Sequence, residues 1–112
     1  MGEDLAAQWY VANGYAVVDR NWVWRRDGAG TRISGEVDLV AVGRGTVAFC
    51  EVKARAGDGF GGPLAAVTRQ KQERLRRLAV AWLAERRPGA FAVRFDVAAV
   101  VGDRLEMVLG AF

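Results

Sequence analysis

Two short apolar runs separated by a glycine-containing turn constrain the fold more than any other feature of this 112-residue sequence. The runs cover residues 37–42 and 47–54, and residues 43–46, Gly-Arg-Gly-Thr, have the composition of a tight turn. Runs that are apolar at successive positions are typical of strands buried on both faces of a sheet. The pattern therefore predicts a β-hairpin of two buried strands.

Helical and strand patterns flank this hairpin on both sides. The chain is predicted to form a helix over residues 3–13, a strand within 15–24, a helix from the N-cap Thr68 to Pro88-Gly89, and strands over 93–101 and 105–109. Residues 25–34 and 54–62 are predicted to be loops, and residues 63–67 a short helical turn. The order α-β-β-β-α-β-β predicts one α/β domain over residues 1–112, with a mixed central β-sheet flanked by helices.

The composition excludes several classes of enzyme. The chain has no histidine, which rules out Ser-His-Asp triads, Cys-His proteases and HExxH zinc sites. Cys50 is the single cysteine, so an internal disulfide and a cysteine-rich zinc site are excluded. The glycine-rich residues 57–62 lack the lysine of a phosphate-binding loop. Catalysis would have to depend on carboxylates, lysine, arginine and a metal held by oxygen ligands.

The apolar runs are shorter than the roughly 18 residues that a membrane span needs. Met1 is followed by glycine and two acids, unlike the basic start of a signal peptide. We therefore expect a cytoplasmic protein with no membrane partner.

The net charge of +3 is modest, but fourteen of the sixteen basic residues are arginine. Arginine suits bidentate recognition of phosphate, although an excess of arginine over lysine also follows from genome composition. Basic residues crowd residues 69–87. A nucleic-acid partner is one interpretation of this distribution and a solvated helix face is the other.

Acidic residues at the end of the predicted hairpin form its most informative constellation. If Val42 pairs with Val47, antiparallel partners have numbers that sum to 89, so Asp38 faces Glu51 and Glu36 faces Lys53. Three carboxylates and a lysine then converge on one patch, where like charges would repel. A divalent cation, Mg²⁺ or Mn²⁺, would relieve that repulsion, with Asp38, Glu51 and the Val52 carbonyl as ligands.

This arrangement predicts phosphodiester hydrolysis, in which Lys53 orients or deprotonates water or stabilises charge on the phosphate. The structural alternative is a cross-strand ion pair between Glu36 and Lys53, with Asp38 and Glu51 merely solvated at a sheet end. Apolar neighbours on both strands favour the metal site over this alternative.

The motifs Gly-Glu-Val-Asp-Leu-Val-Ala at 35–41 and Val-Ala-Phe-Cys-Glu-Val-Lys-Ala-Arg at 47–55 resemble the YraN-like family of uncharacterised bacterial proteins, which are similar to archaeal Holliday-junction resolvases. The resemblance extends to residues 2–6, 14–15, 20–22, 60–61, 71 and 94–97. It implies a restriction-endonuclease-like fold with a PD-(D/E)xK site at Asp38, Glu51 and Lys53, and a further metal-site carboxylate at Glu3. Val37 stands where that motif often has proline.

The resemblance also implies a metal-dependent endonuclease acting on DNA, including branched or junction DNA, and by analogy a homodimer. A nucleic-acid-binding protein of nuclease fold without cleavage activity is the alternative. Candidate contacts to nucleic acid are Arg55, Gln70, Lys71 and Arg74. A solvated surface is an equal alternative for Arg55, Gln70 and Lys71 and the favoured interpretation for Arg74. Trp82 and Cys50 are predicted to be buried apolar residues rather than functional ones.

Overall fold

The computed structural model describes residues 2–24, 35–55, 67–89 and 92–112. Its elements are α1 (Gly2–Ala12), β1 (Ala16–Trp22), β2 (Val37–Gly43), β3 (Thr46–Arg55), α2 (Arg69–Arg86), β4 (Ala92–Val101) and β5 (Arg104–Val108). The predicted order of helices and strands is confirmed, with ends that differ by one or two residues. The predicted loop over 25–34 lies outside the described residues, as do residues 56–62 of the loop predicted over 54–62 and residues 63–66 of the helical turn predicted over 63–67. The start of the second loop was wrong, because Ala54 and Arg55 continue β3.

One mixed sheet holds the five strands in the order β1-β2-β3-β4-β5. Neighbouring strands are antiparallel except β3 and β4, which are parallel and are joined by the crossover that contains α2. The predicted hairpin register is confirmed, since Val42 pairs with Val47 and Gly43 with Thr46. Arg44 and Gly45 form its two-residue turn with φ of 54° and 71°, the left-handed geometry that matches strand twist.

The two helices cover opposite faces of the sheet. On one face α1 packs through Ala6, Ala7 and Tyr10 against a cluster that includes Leu39, Ala41, Ala48, Cys50 and Ala98. On the other face α2 packs through Leu75, Leu78, Ala79 and Trp82 against Val37, Val40, Val47, Phe49 and Phe95. The predicted burial of Trp82 and Cys50 is confirmed, and burial raises the pKa of the Cys50 thiol to about 12.

Capping fixes both ends of α2. The Thr68 hydroxyl accepts a hydrogen bond from the backbone N–H of Lys71 at 3.2 Å, which confirms the predicted N-cap. At the other end Arg87 adopts a left-handed conformation with φ of 47° and donates its N–H to the Leu83 carbonyl, just before Pro88. Of the two helices in the described part of the chain, neither combines the length and apolar character that a membrane crossing needs.

The alternation of faces along β1 and β2 reverses near one end of the sheet. Arg20 and Leu39 are partners on the α1 side, whereas the next pair, Trp22 and Val37, packs on the α2 side. Residues two apart on a regular strand would share a face. The left-handed backbone of Asn21, with φ of 50°, stands at this reversal. The reversal lies beside the acidic end of the hairpin, so it affects the surroundings of Glu36 and Asp38.

Candidate metal centre at the sheet end

Three carboxylates from different parts of the chain meet at this end of the sheet. Glu3 lies in the first turn of α1, Glu36 immediately precedes β2, and Asp38 is the second residue of β2. One oxygen from each carboxylate lies within 4.8 Å of the other two. The structure thus brings together Glu3, Glu36 and Asp38, all of which the sequence had singled out.

Asp38 is half-buried, and its carboxyl has a strongly perturbed pKa. Its Oδ2 accepts a hydrogen bond from the backbone N–H of Val52 at 2.7 Å. Burial raises the pKa of Asp38 to about 7; the Val52 N–H opposes this effect, and the neighbouring Glu51 and Glu3 carboxyls reinforce it. Asp38 keeps its proton up to nearly neutral pH because its surroundings stabilise the negative charge of the ionised carboxylate poorly.

Glu51 and Lys53 lie next to Asp38 on the adjacent strand. The ladder between β2 and β3 runs to the pair Leu39–Cys50, and the next step of the same register sets Asp38 opposite Glu51. The Glu51 carboxyl is near enough to raise the pKa of Asp38 but is not one of the three within 4.8 Å of one another. Lys53 Nζ lies 3.6 Å from Glu51 Oε2.

The predicted facing pair of Glu36 and Lys53 is replaced by two other contacts. Glu36 Oε1 accepts a hydrogen bond from the side-chain amide of Asn21 at 3.0 Å, and Lys53 forms its salt bridge with Glu51. The physical reason is that β2 begins only at Val37, so the regular ladder from which the facing was extrapolated ends before Glu36. The cross-strand ion pair that was the structural alternative is therefore absent between these two described residues.

Asn21 is the residue of this site that sequence analysis missed. Its Nδ2 donates to Glu3 Oε2 at 2.9 Å as well as to Glu36 Oε1, so one amide links α1 to the segment before β2. The one available signal was that asparagine is depleted in strands and enriched at left-handed positions. That signal indicates an irregular backbone but does not identify what the side chain contacts.

Both lysines of this arginine-rich chain are at the site. The proximity of Lys53 lowers the pKa of Lys71, as expected for two neighbouring ammonium groups. Lys71 and Arg74 line a crevice on the α2 side together with Glu36 and Glu51. The carboxylate cluster thus borders a group of cations that α2 supplies from its first two turns.

The remaining predicted site residues have less defined positions. Gln70 is exposed in the first turn of α2, and the structure shows no hydrogen bond between it and the described site residues. Arg55 ends β3, where its backbone pairs with Val101, and its side chain lies outside the described part of the structure. Val52 contributes its N–H to Asp38, whereas metal ligation by its carbonyl stays a prediction.

A second carboxylate network lies elsewhere in the sheet, around Asp96 of β4, which is 0 % exposed. Arg94 donates to both oxygens of Asp96, at 2.8 and 2.9 Å. The Tyr10 hydroxyl donates to Oδ2 at 2.6 Å and the Gly110 N–H to Oδ1 at 3.0 Å. The hydrogen bond with Asp96 and burial of the ring raise the pKa of Tyr10, burial being the larger cause. This network pairs its buried charge fully.

Comparison with known proteins places this chain among sequences of one family. A family model described as "Uncharacterised protein family UPF0102" matches residues 2–100. A UPF0102 protein of Acidothermus cellulolyticus is 44% identical over 99% of this chain and 89% of the relative. Those of Frankia alni and Beutenbergia cavernae are 43% and 48% identical, over 99% and 92% of this chain and 90% and 80% of the relatives.

Proposed function

The chain belongs to the uncharacterised protein family UPF0102, and we propose that it is a divalent-metal-dependent nuclease that hydrolyses phosphodiester bonds in DNA. The observation that carries the proposal is the convergence of Glu3, Glu36 and Asp38 within 4.8 Å of one another. In the described part of the chain, the hydrogen bonds to these carboxylates come from neutral donors, Asn21 and the Val52 backbone. A bound cation would offset the repulsion among these three carboxylates, which the neutral donors do not cancel.

The donor set fits Mg²⁺ or Mn²⁺. Magnesium binds oxygen ligands at about 2.0–2.1 Å, so oxygens on one ion lie roughly 3–4 Å apart. The three carboxylates, which lie within 4.8 Å, would need to close by less than about 2 Å to share an ion. The pKa of Asp38 near 7 fits the same conclusion, because a bound cation would stabilise the ionised form that burial disfavours.

The residues around the cluster suit hydrolysis of a phosphodiester. A bound divalent cation would supply charge neutralisation at the phosphate and a more acidic water. Lys53, held 3.6 Å from Glu51, is placed to orient that water or to donate to a phosphate oxygen. Lys71 and Arg74 border the same crevice and offer further donors to the phosphates of a DNA strand.

The resemblance to resolvase-like nucleases supports the same assignment. It implies a PD-(D/E)xK site at Asp38, Glu51 and Lys53, and these three residues lie beside one another on β2 and β3. The order of helices and strands is also compatible with the restriction-endonuclease-like fold that the resemblance implies. Action on branched DNA by a homodimer is the more specific form of the proposal.

Binding of nucleic acid without cleavage is the second candidate, and the cations around the crevice favour it. Lys53, Lys71 and Arg74 could hold phosphate oxygens by charge and hydrogen bonds whether or not a metal is present. Such binding would weaken steeply with salt and would survive chelation of divalent cations.

The test is cleavage of labelled four-way junction, flap, duplex and single-stranded DNA with Mg²⁺, Mn²⁺ or EDTA. D38N is the sharpest variant because its amide oxygen can still accept the Val52 N–H, and D103N, in the exposed β4–β5 turn, is its matched control. We expect metal-dependent cleavage that D38N lowers by at least about 100-fold and D103N leaves unchanged.

K53M and R104M form a second matched pair, because each variant loses one positive charge. K53M loses it at the site, and R104M loses it at the exposed start of β5. We expect K53M to lose cleavage and R104M to retain it. Salt-sensitive binding without cleavage by the wild type would reduce the site to recognition. If the wild-type protein neither cleaves nor binds any of these DNAs, both candidate functions are contradicted.

A further inference from the structure

Asn21 connects two of the three clustered carboxylates through a single group. Its side-chain nitrogen donates to Glu3 Oε2 at 2.9 Å and to Glu36 Oε1 at 3.0 Å. An ionised carboxylate is an acceptor only, so the amide nitrogen rather than its oxygen must face both groups. Both N–H hydrogens of the amide are therefore engaged by carboxylates that come from separate elements of the fold.

The backbone of Asn21 is specialised for this contact. Its φ of 50° lies in the left-handed region, which is unfavourable for side-chain-bearing residues and most accessible to asparagine among them. On a regular strand the consecutive residues Arg20 and Asn21 would face opposite sides of the sheet. Here both reach the N-terminal turn of α1, Arg20 through Asp4 at 2.7 Å and Asn21 through Glu3.

We propose that Asn21 is a positioning residue that holds the Glu3 and Glu36 carboxylates beside Asp38 and thereby sets the affinity of the candidate site for a divalent cation. The inference rests on the proposed function, because it assigns a role within that same metal centre. The amide is neutral, so it gathers the two carboxylates without cancelling the negative charge that attracts the cation.

A residue of this kind acts on metal binding rather than on the chemical step. Groups that orient metal ligands typically change metal affinity by about 10–100-fold when they are removed. Loss of the Asn21 amide should therefore raise the dissociation constant for Mn²⁺ by about that factor. It should also raise the Mg²⁺ concentration needed for half-maximal cleavage, while the cleavage rate at saturating Mg²⁺ stays near that of the wild type.

N21G is the variant that isolates the side chain, since glycine adopts the left-handed conformation freely and only the amide is lost. R44G is its matched control, because Arg44 is a second non-glycine residue with a similar φ of 54° but lies in the hairpin turn. Binding of Mn²⁺ alone, followed by electron paramagnetic resonance at pH 7.5, gives a readout that does not depend on activity. Thermal unfolding of each variant verifies that it is folded.

We expect weaker Mn²⁺ binding by N21G and unchanged binding by R44G. Equal affinity of N21G and the wild type would overturn the positioning role and leave the proposed function intact. No Mn²⁺ binding by the wild type would overturn both.

A double variant separates a positioning role from a remote one. If Asn21 acts through Glu3 and Glu36, N21G should cost less metal affinity in an E3A background than in the wild type, because E3A has already removed one of the two carboxylates that the amide holds. Simple additivity of the two losses would show that Asn21 acts elsewhere and would contradict the proposal. This comparison of single and double variants remains informative even if cleavage is never observed, since it needs only their Mn²⁺ affinities.

Discussion

The sheet carries two groups of carboxylates that differ in how their charge is compensated. Asp96 is completely buried, yet an arginine, a tyrosine hydroxyl and a backbone N–H satisfy its oxygens. The cluster of Glu3, Glu36 and Asp38 is less buried, but the described residues give it only neutral donors. The depth of burial alone therefore does not decide how far the charge of a carboxylate is compensated.

The two ends of α1 contribute to different carboxylate groups. Tyr10, near the end of this helix, bonds Asp96 and anchors the helix to β4. Glu3, in its first turn, extends toward Asp38. A satisfied network costs little to bury and fixes position, whereas uncompensated charges at a sheet end are available to a ligand. The Asp96 network thus supports the helix that supplies Glu3 to the carboxylate cluster.

The largest expected effect is the loss of the buried pair. D96N would leave the Arg94 guanidinium without its carboxylate, and breaking a buried ion pair typically destabilises a protein by about 3–5 kcal/mol. D38N at pH 8 should cause no comparable loss, since Asp38 has no such partner. Urea denaturation of the two variants measures the contrast. Equal destabilisation by D96N and D38N would contradict the distinction between the Asp96 network and the carboxylate cluster.

The next effect is the pH dependence of stability that Asp38 introduces. Its pKa is about 7 in the folded protein against an ordinary value of 3.8, so the folded state binds the proton more tightly than the unfolded chain. This contribution is fully present below pH 4 and is lost as the pH rises through 7. In the metal-free protein this group should therefore lower the Tm by several degrees as the pH rises over this range.

D38N removes the titrating group, so the fall in Tm between pH 4 and pH 8 should be smaller in D38N than in the wild type. Millimolar Mg²⁺ at pH 8 should raise the Tm of the wild type and have less effect on the variant. A wild-type profile that matches that of D38N, with or without Mg²⁺, would show that the charge of Asp38 is already compensated.

The sequence predicts the parts of this comparison that depend on local pattern. The hairpin register follows from the pairing of Val42 with Val47 and correctly sets Asp38 beside Glu51. The contact of Glu36 could not be predicted, because it depends on where β2 begins and on the left-handed backbone at Asn21. Those features arise when distant elements pack together, and no periodicity encodes them.

The Asp96 network shows the same limit. Arg94 and Asp96 are two residues apart on β4, so a shared face was predictable from strand alternation. Complete burial was not, since it also requires the Tyr10 hydroxyl from α1 and the Gly110 N–H from the turn after β5. The roles proposed for Asp38, Glu51 and Lys53 remain predictions for the cleavage assay.

The smallest expected effect concerns an exposed pair of the same chemistry as the buried one. Arg69 Nε lies 4.0 Å from Glu73 Oε1, and the two side chains are 93% and 65% exposed. Water already solvates both charges, so E73Q should change the free energy of unfolding by no more than about 0.5 kcal/mol. Urea denaturation in parallel with D96N tests this prediction, and a loss of comparable size would mean that arginine–carboxylate pairing stabilises this fold regardless of burial. A negligible loss would instead attribute the cost of D96N to the partly buried charge that is left on Arg94 without its carboxylate.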